Sequence, residues 1–204
     1  MMRRSLWSSA GKAALWVLLC LPAAAMLWRW QDQELWPADL VAPSGEWSAR
    51  LLIAALMITP LRLLLPRARA IAWIARHRRA LGVAAFGYAL VHLGFYVADM
   101  AAVAAVIDEL ALPGIWTGWS ALLLMLPLAA TSNDRAVRAL RAGWKRLQRL
   151  AYPAALLTLA HWIIVHDGLR DALTQTAPLI LLELYRLVRL MRRPGATPVY
   201  RAAS

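Results

Sequence analysis

Cysteine is all but missing from this chain. Cys20 stands alone in 204 residues. That excludes an internal disulfide and any multi-cysteine zinc or iron–sulfur centre. No Cys-x-x-Cys-His segment occurs either, so a covalently attached haem is excluded. Acidic residues are scarce as well: 11 stand against 23 basic ones, a formal net charge of +12. In a soluble protein such an excess points to nucleic acid. Here membrane topology explains it first, because the charge is segregated by loop and 61% of the chain is hydrophobic. Mean hydropathy is +0.53. The chain shows no sustained internal repeat or low-complexity tract, and its loops are too short to hold a large soluble domain.

What the chain does have is apolar runs of about 20 residues, the length that crosses hydrocarbon as a helix. Six spans are expected, at 13–28, 50–65, 80–98, 115–131, 150–166 and 172–190. The expected fold is an all-α integral membrane protein, a six-transmembrane-helix bundle over 13–190. A cytoplasmic segment 1–12 precedes it and a short cytoplasmic tail 191–204 follows. The loops alternate in charge. One side holds Arg3, Arg4 and Lys12, the cluster from Arg62 to Arg79, the cluster from Arg135 to Arg149, and Arg186 to Arg201. Together these are 20 of the 23 basic residues. The other side holds nine acids, from Asp32 to Asp171, with only Arg29, Arg50 and Arg170 in or beside it. The positive-inside rule then puts both termini in the cytoplasm. The first span also has the basic start, apolar run and small-residue stretch, Ala23-Ala24-Ala25, of a signal peptide; it is expected to stay uncleaved, and cleavage would leave the later spans and their orientation unchanged. Trp28, Trp30, Trp36, Trp47, Trp116 and Trp119 fall near the outer interface, where an aromatic belt is expected.

Two histidines lie deep in these runs. His92 stands thirteen residues beyond Arg79, and His161 stands twelve beyond Arg149. Both spans start at the basic side, so they run parallel. At about 1.5 Å per residue each histidine lies roughly 18–20 Å from its basic anchor. Both therefore sit at one level, toward the outer half of the membrane. An ionisable residue in a membrane helix is a functional-site hypothesis by default. Neutral imidazole is a strong axial ligand for haem iron, and bundle cores build cofactor sites from facing helices. A non-covalent b-type haem between His92 and His161 is one reading; packing or a proton path is the other, and depth alone leaves both open. His77, within Arg76-His77-Arg78-Arg79, reads as a solvated loop residue, and His166 as an interfacial polar cap. The basic clusters serve topology and attract anionic lipid. Arg78, Arg79 and Arg146 also suit a flavin phosphate or haem propionates.

These residues together resemble a family. Arg78-Arg79-Ala80-Leu81-Gly82, Phe86, Leu90-Val91-His92-Leu93 and Tyr96 resemble the third span of the MsrQ (YedZ) family. Ile58-Thr59-Pro60-Leu61, Thr131-Ser132, and Trp144-Lys145-Arg146-Leu147 with Leu150, Tyr152 and His161 resemble its second, fourth and fifth spans. The similarity is best over residues 48–165. The family consists of the haem-binding membrane subunits of periplasmic methionine-sulfoxide reductase systems. It falls within the ferric-reductase-like transmembrane domain superfamily. The resemblance implies a multi-pass protein of the bacterial inner (plasma) membrane. Such a protein takes electrons from the quinone pool or a cytosolic flavin reductase and passes them through haem b. The recipient is a periplasmic molybdopterin-containing reductase subunit, which repairs oxidised proteins. The chain would then be an electron-transfer subunit rather than the catalytic one, with FMN as an associated cofactor and no nucleic-acid partner.

By position, His92 and His161 match the family's haem histidines. One departure stands out. Where the family pattern Trp-x-x-Leu-His has a third histidine, this chain has Gln148. Glutamine is a poor haem ligand, so a second, inner haem is either missing or held differently, with His77 as a substitute. Two alternative functions remain. One is a ferric-type transmembrane reductase, against which the missing flavin and nicotinamide domains argue. The other is a non-redox scaffold or transporter, against which the lack of an inverted repeat argues.

Overall fold

A computed structural model of the chain describes residues 2–166 and 168–192. The expected tail therefore lies outside the described residues beyond Arg192, as does Asp167. Among the described residues there are nine α-helices and no strand. They are α1 (Met2–Gln31), α2 (Pro37–Leu64), α3 (Arg69–Met100), α4 (Val103–Glu109), α5 (Pro113–Ala130), α6 (Asp134–Leu140), α7 (Ala142–Leu147), α8 (Ala151–His166) and α9 (Leu169–Met191). A 3-10 turn, Gln148–Leu150, joins α7 to α8. By length and composition, four helices can cross a membrane: Ala10–Gln31 within α1, then α2, α3 and α5.

The helices outrun the apolar spans. α2 begins at Pro37, well before residue 50, because proline suits the first helical position and Asp39 Oδ2 accepts the Trp36 N–H at 3.0 Å. α3 begins at Arg69, since arginine is a good helix former and the helix simply continues past the apolar stretch. His77 is therefore helical rather than a loop residue. It packs against Trp73 with ring centroids 4.4 Å apart and planes tilted by 39°, and its Nδ1 lies 2.9 Å from the Trp73 carbonyl. Among the tryptophans, Trp16, Trp28, Trp30, Trp36 and Trp116 are exposed. Trp47 instead turns inward and stacks on Tyr88 at 5.9 Å.

Small residues draw α2 and α3 together. Ala84 and Ala85 are buried, and the Ser48 hydroxyl donates to the Ala85 carbonyl at 2.8 Å. Close backbone approach through small side chains, with a polar tie, is how helices associate where no water drives them. α1 is held differently. Pro22 has no N–H and so interrupts the helix ladder. One residue on, the Tyr88 hydroxyl accepts from the Ala23 N–H at 3.0 Å and donates to the Leu19 carbonyl at 2.8 Å. A side chain inserted at a backbone pair is a recognised cause of bending. Tyr88→Phe removes both bonds, and an unfolding free energy lower by about 1–3 kcal/mol is expected. Denaturant titration in detergent checks this. Unchanged stability would mean that α1 closes its own Leu19–Ala23 bond.

Candidate functional site

Two cavities lie one above the other along the bundle. The first involves α2 from Ala42 to Ala49, α3 from Ala89 to Tyr96, α5 from Ile115 to Met125, and α8 from Thr158 to Trp162. The second involves α2 from Leu52 to Thr59, α3 from Arg78 to Gly82, α5 at Met125 and Leu128 with Ser132 just beyond it, and α8 at Ala151 and Tyr152, with α7 and α9 added. Hence α2 and α5 run from the first cavity to the second, while α3 and α8 run the opposite way. The parallel course expected for the two histidine helices is what the structure has. Met125 lines both cavities, so they share a wall.

His92 on α3 and His161 on α8 meet in the first cavity, which has a volume of about 110 Å³. Their ring centroids are 5.9 Å apart and their planes stand at 81°. Each ring is oriented through Nδ1. For His92 the Val41 carbonyl lies 2.8 Å away, and for His161 the Gly114 carbonyl lies 2.6 Å away. A carbonyl only accepts, so each Nδ1 carries a hydrogen, and in the neutral ring the lone pair is then on Nε2. This is the second-sphere arrangement typical of metal-binding histidines. Small residues form much of the wall, among them Ala42, Gly45, Ala49, Ala89, Gly118 and Ala121, while Glu46, Tyr96 and Trp119 bring the polar and aromatic groups. Glu46 pairs with Arg50 at 2.6 Å, and Arg50 Nε donates to Gln175 on α9 at 2.8 Å. The Tyr96 hydroxyl donates to Glu109 at 2.7 Å and ties α4 to α3.

The second cavity, at the Arg-rich end, is larger, about 620 Å³. Arg78, Arg79, Lys145, Arg149 and Arg186 line it against one carboxylate, Glu183. Arg186 donates to the Tyr152 hydroxyl at 2.8 Å and pairs with Glu183 at 3.1 Å. Arg79 pairs with exposed Asp134 at 2.7 Å, and that guanidinium holds the Asp134 carboxyl below its ordinary range. Gln148 lines this cavity, and its amide donates to the Leu128 carbonyl at 3.3 Å. The Trp144 indole donates to the Thr131 carbonyl at 3.0 Å. Residues scattered along the sequence motif thus gather round one space: Thr59, Arg78, Gly82, Ser132, Trp144 and Tyr152 all line it. His77 and Arg146 are not among its lining residues. The side chain of His166 lies outside the described residues. Val41, Gly45, Gly114 and Gly118 escaped the sequence reading. A backbone carbonyl has no sequence signal, and residues 29–49 read as a loop.

The motif residues, the paired histidines and the bundle invite comparison with known proteins. Residues 44–159 match the family described as ferric reductase like transmembrane component. The chain is 36% identical over 200 residues to the protein-methionine-sulfoxide reductase heme-binding subunit MsrQ of Xanthomonas campestris pv. campestris (strain 8004). That match covers 92% of this chain and 90% of the relative. The chain belongs to the MsrQ family. The MsrQ of Azospira oryzae is also 36% identical, over 202 residues, covering 93% of this chain and 84% of that protein. The MsrQ of Xanthomonas axonopodis pv. citri is 40% identical over 157 residues, covering 70% of each. No solved structure matches. Family membership and the long apolar helices make this MsrQ-family chain an integral membrane protein.

Proposed function

We propose that this chain is the haem-binding electron-transfer subunit of a bacterial inner-membrane methionine-sulfoxide reductase system, with His92 and His161 as the axial ligands of one b-type haem. The observation that carries the reading is the convergence of the two imidazoles, 5.9 Å apart in one cavity, each turned by a carbonyl on Nδ1. The donor set fits. Two imidazole nitrogens, each about 2 Å from a shared metal, put the ring centres about 6 Å apart. Among the described residues no group of three His, Cys, Asp or Glu side chains could hold a bare metal ion. A metal held between the two histidines would take its other ligands from outside these side chains, and a haem macrocycle supplies them. Haem supplies reversible one-electron chemistry, and two axial histidines leave no open position for oxygen. The names of the MsrQ relatives support the same cofactor class.

The remaining residues have separable tasks. The Val41 and Gly114 carbonyls orient the ligands. The apolar small-residue wall excludes water from the ring edges. At the Arg-rich end, the excess of cations attracts an anionic electron donor or cofactor. Arg78 and Arg79, which line this cavity, take the phosphate of FMN in this reading, with exposed Arg146 on the neighbouring α7 available to a docking flavin reductase; quinol is the alternative donor. Gln148 and His77 hold no second haem in this reading. The six spans run over 13–190, with 1–12 and 191–204 in the cytoplasm, so the Arg-rich cavity faces inward and the histidine pair outward. The acidic outer loops steer a periplasmic molybdopterin-containing partner.

The deciding experiment is a visible spectrum of the protein purified after haem-supplemented expression. Dithionite-reduced b-type bands, reoxidised by the periplasmic partner, are the expected result. A colourless protein that folds and stays monodisperse would overturn the proposal.

A further inference from the structure

Both histidine rings rest on a glycine of a neighbouring helix, and the two contacts follow one rule. A Cβ at Gly45 would lie 3.0 Å from His92 Nδ1 and 3.1 Å from its Cε1. A Cβ at Gly118 would lie 2.8 Å from His161 Nδ1 and 2.9 Å from its Cε1. In each case the carbonyl facing Nδ1 belongs to the residue four before the glycine, Val41 for Gly45 and Gly114 for Gly118. One turn of helix thus provides both a bare patch for the ring and an acceptor for its N–H. Without the bare patch the ring stands off, and its N–H loses the carbonyl. Neither glycine has a positive φ, so no backbone strain asks for glycine there; the close approach does.

We infer that Gly45 and Gly118 are positioning residues that set the tautomer, the basicity and the near-perpendicular planes of the two axial histidines. The inference rests on the haem reading above. It concerns this chain's own residues and acts through the ligands: a hydrogen bond on Nδ1 strengthens imidazole as a donor to iron. A ring displaced from its carbonyl becomes a weaker ligand held at a different angle.

The test compares Gly118→Ala, Gly45→Ala and Gly87→Ala in the full-length, haem-loaded protein. Gly87 is an exposed α3 glycine whose Cβ would meet nothing within 4 Å. Three readouts are taken: haem retention, midpoint potential, and the low-temperature EPR spectrum of the ferric form. Perpendicular axial imidazoles give one strongly shifted low-field feature, and rings turned toward parallel give a compact rhombic set. Gly118→Ala is expected to weaken haem retention by about tenfold or more and to change the EPR signature. Gly45→Ala, with the looser contact, is expected to do the same to a smaller degree. Gly87→Ala is expected to match wild type. If Gly118→Ala fails to accumulate, Gly45→Ala carries the same reading. Wild-type EPR and potential in the alanine variants would overturn the inference, as would equal perturbation by Gly87→Ala. Absence of haem from the wild-type protein would instead be a failure of the haem reading itself, which separates the two.

Discussion

His92→Ala and His161→Ala are each expected to abolish the reduced b-type bands, from about one haem per chain to almost none. The cause is geometric. The two rings meet across α3 and α8 at 5.9 Å, and among the described residues no third imidazole lines their cavity. With the proposed haem between them, losing either ring would leave the iron with one protein ligand. His77→Ala serves as the control, because His77 packs on Trp73 at 4.4 Å and does not line either cavity. Its spectrum and haem content should match wild type. The measurement is a pyridine haemochrome assay against protein concentration, on variants that elute as wild type. Two haems per wild-type chain would show that the cavity beside Gln148 holds one. Retention of the full spectrum by either histidine variant would sink the ligand assignment.

The second large effect is topological. An alkaline phosphatase fused at the C-terminus is expected to be inactive, and a green fluorescent protein fused there to fluoresce. Phosphatase inserted at Ala102, between α3 and α4, should be active. The side of the C-terminus depends on α8 and α9, which are not among the four helices that can cross by length and composition. α8 has 16 residues, about 24 Å of helix, somewhat less than the hydrocarbon thickness of about 30 Å. The turn Gln148–Leu150 precedes it directly and extends the path. α9 carries Glu183, Arg186 and Arg189. Glu183 and Arg186 neutralise each other at 3.1 Å, and Arg186 also binds Tyr152. Arg189 is near the helix end, where a long side chain reaches the interface. An active phosphatase at the C-terminus would mean that one of these helices does not cross.

Some of this was open to reading from the chain alone. The level of the histidine pair needed only the helical rise and an arginine anchor on each helix, so counting sufficed. The Gln148 departure was visible for the same reason, as a letter in a pattern. The extent of α2 and α3 was not visible, because apolar length marks membrane depth rather than helix length. α2 runs from Pro37 and carries Glu46 and Arg50, which reads as loop when hydropathy is the guide. Hydropathy likewise assigns His77 to a loop, although it lies within α3.

By itself, then, the sequence determined an all-helical membrane chain, the segregation of its charge by loop, and two histidines at one depth. Each of these follows from local composition and a fixed rise per residue. Only the tertiary structure decided that the rings face one another, and that they stand at 81°. It also decided which glycines admit them, and that Thr59, Arg78, Ser132 and Trp144 enclose one space of about 620 Å³. The physical reason is that azimuth around a helix depends on its neighbours. Depth is written along a chain, but the direction a ring points is settled by the backbone it packs against.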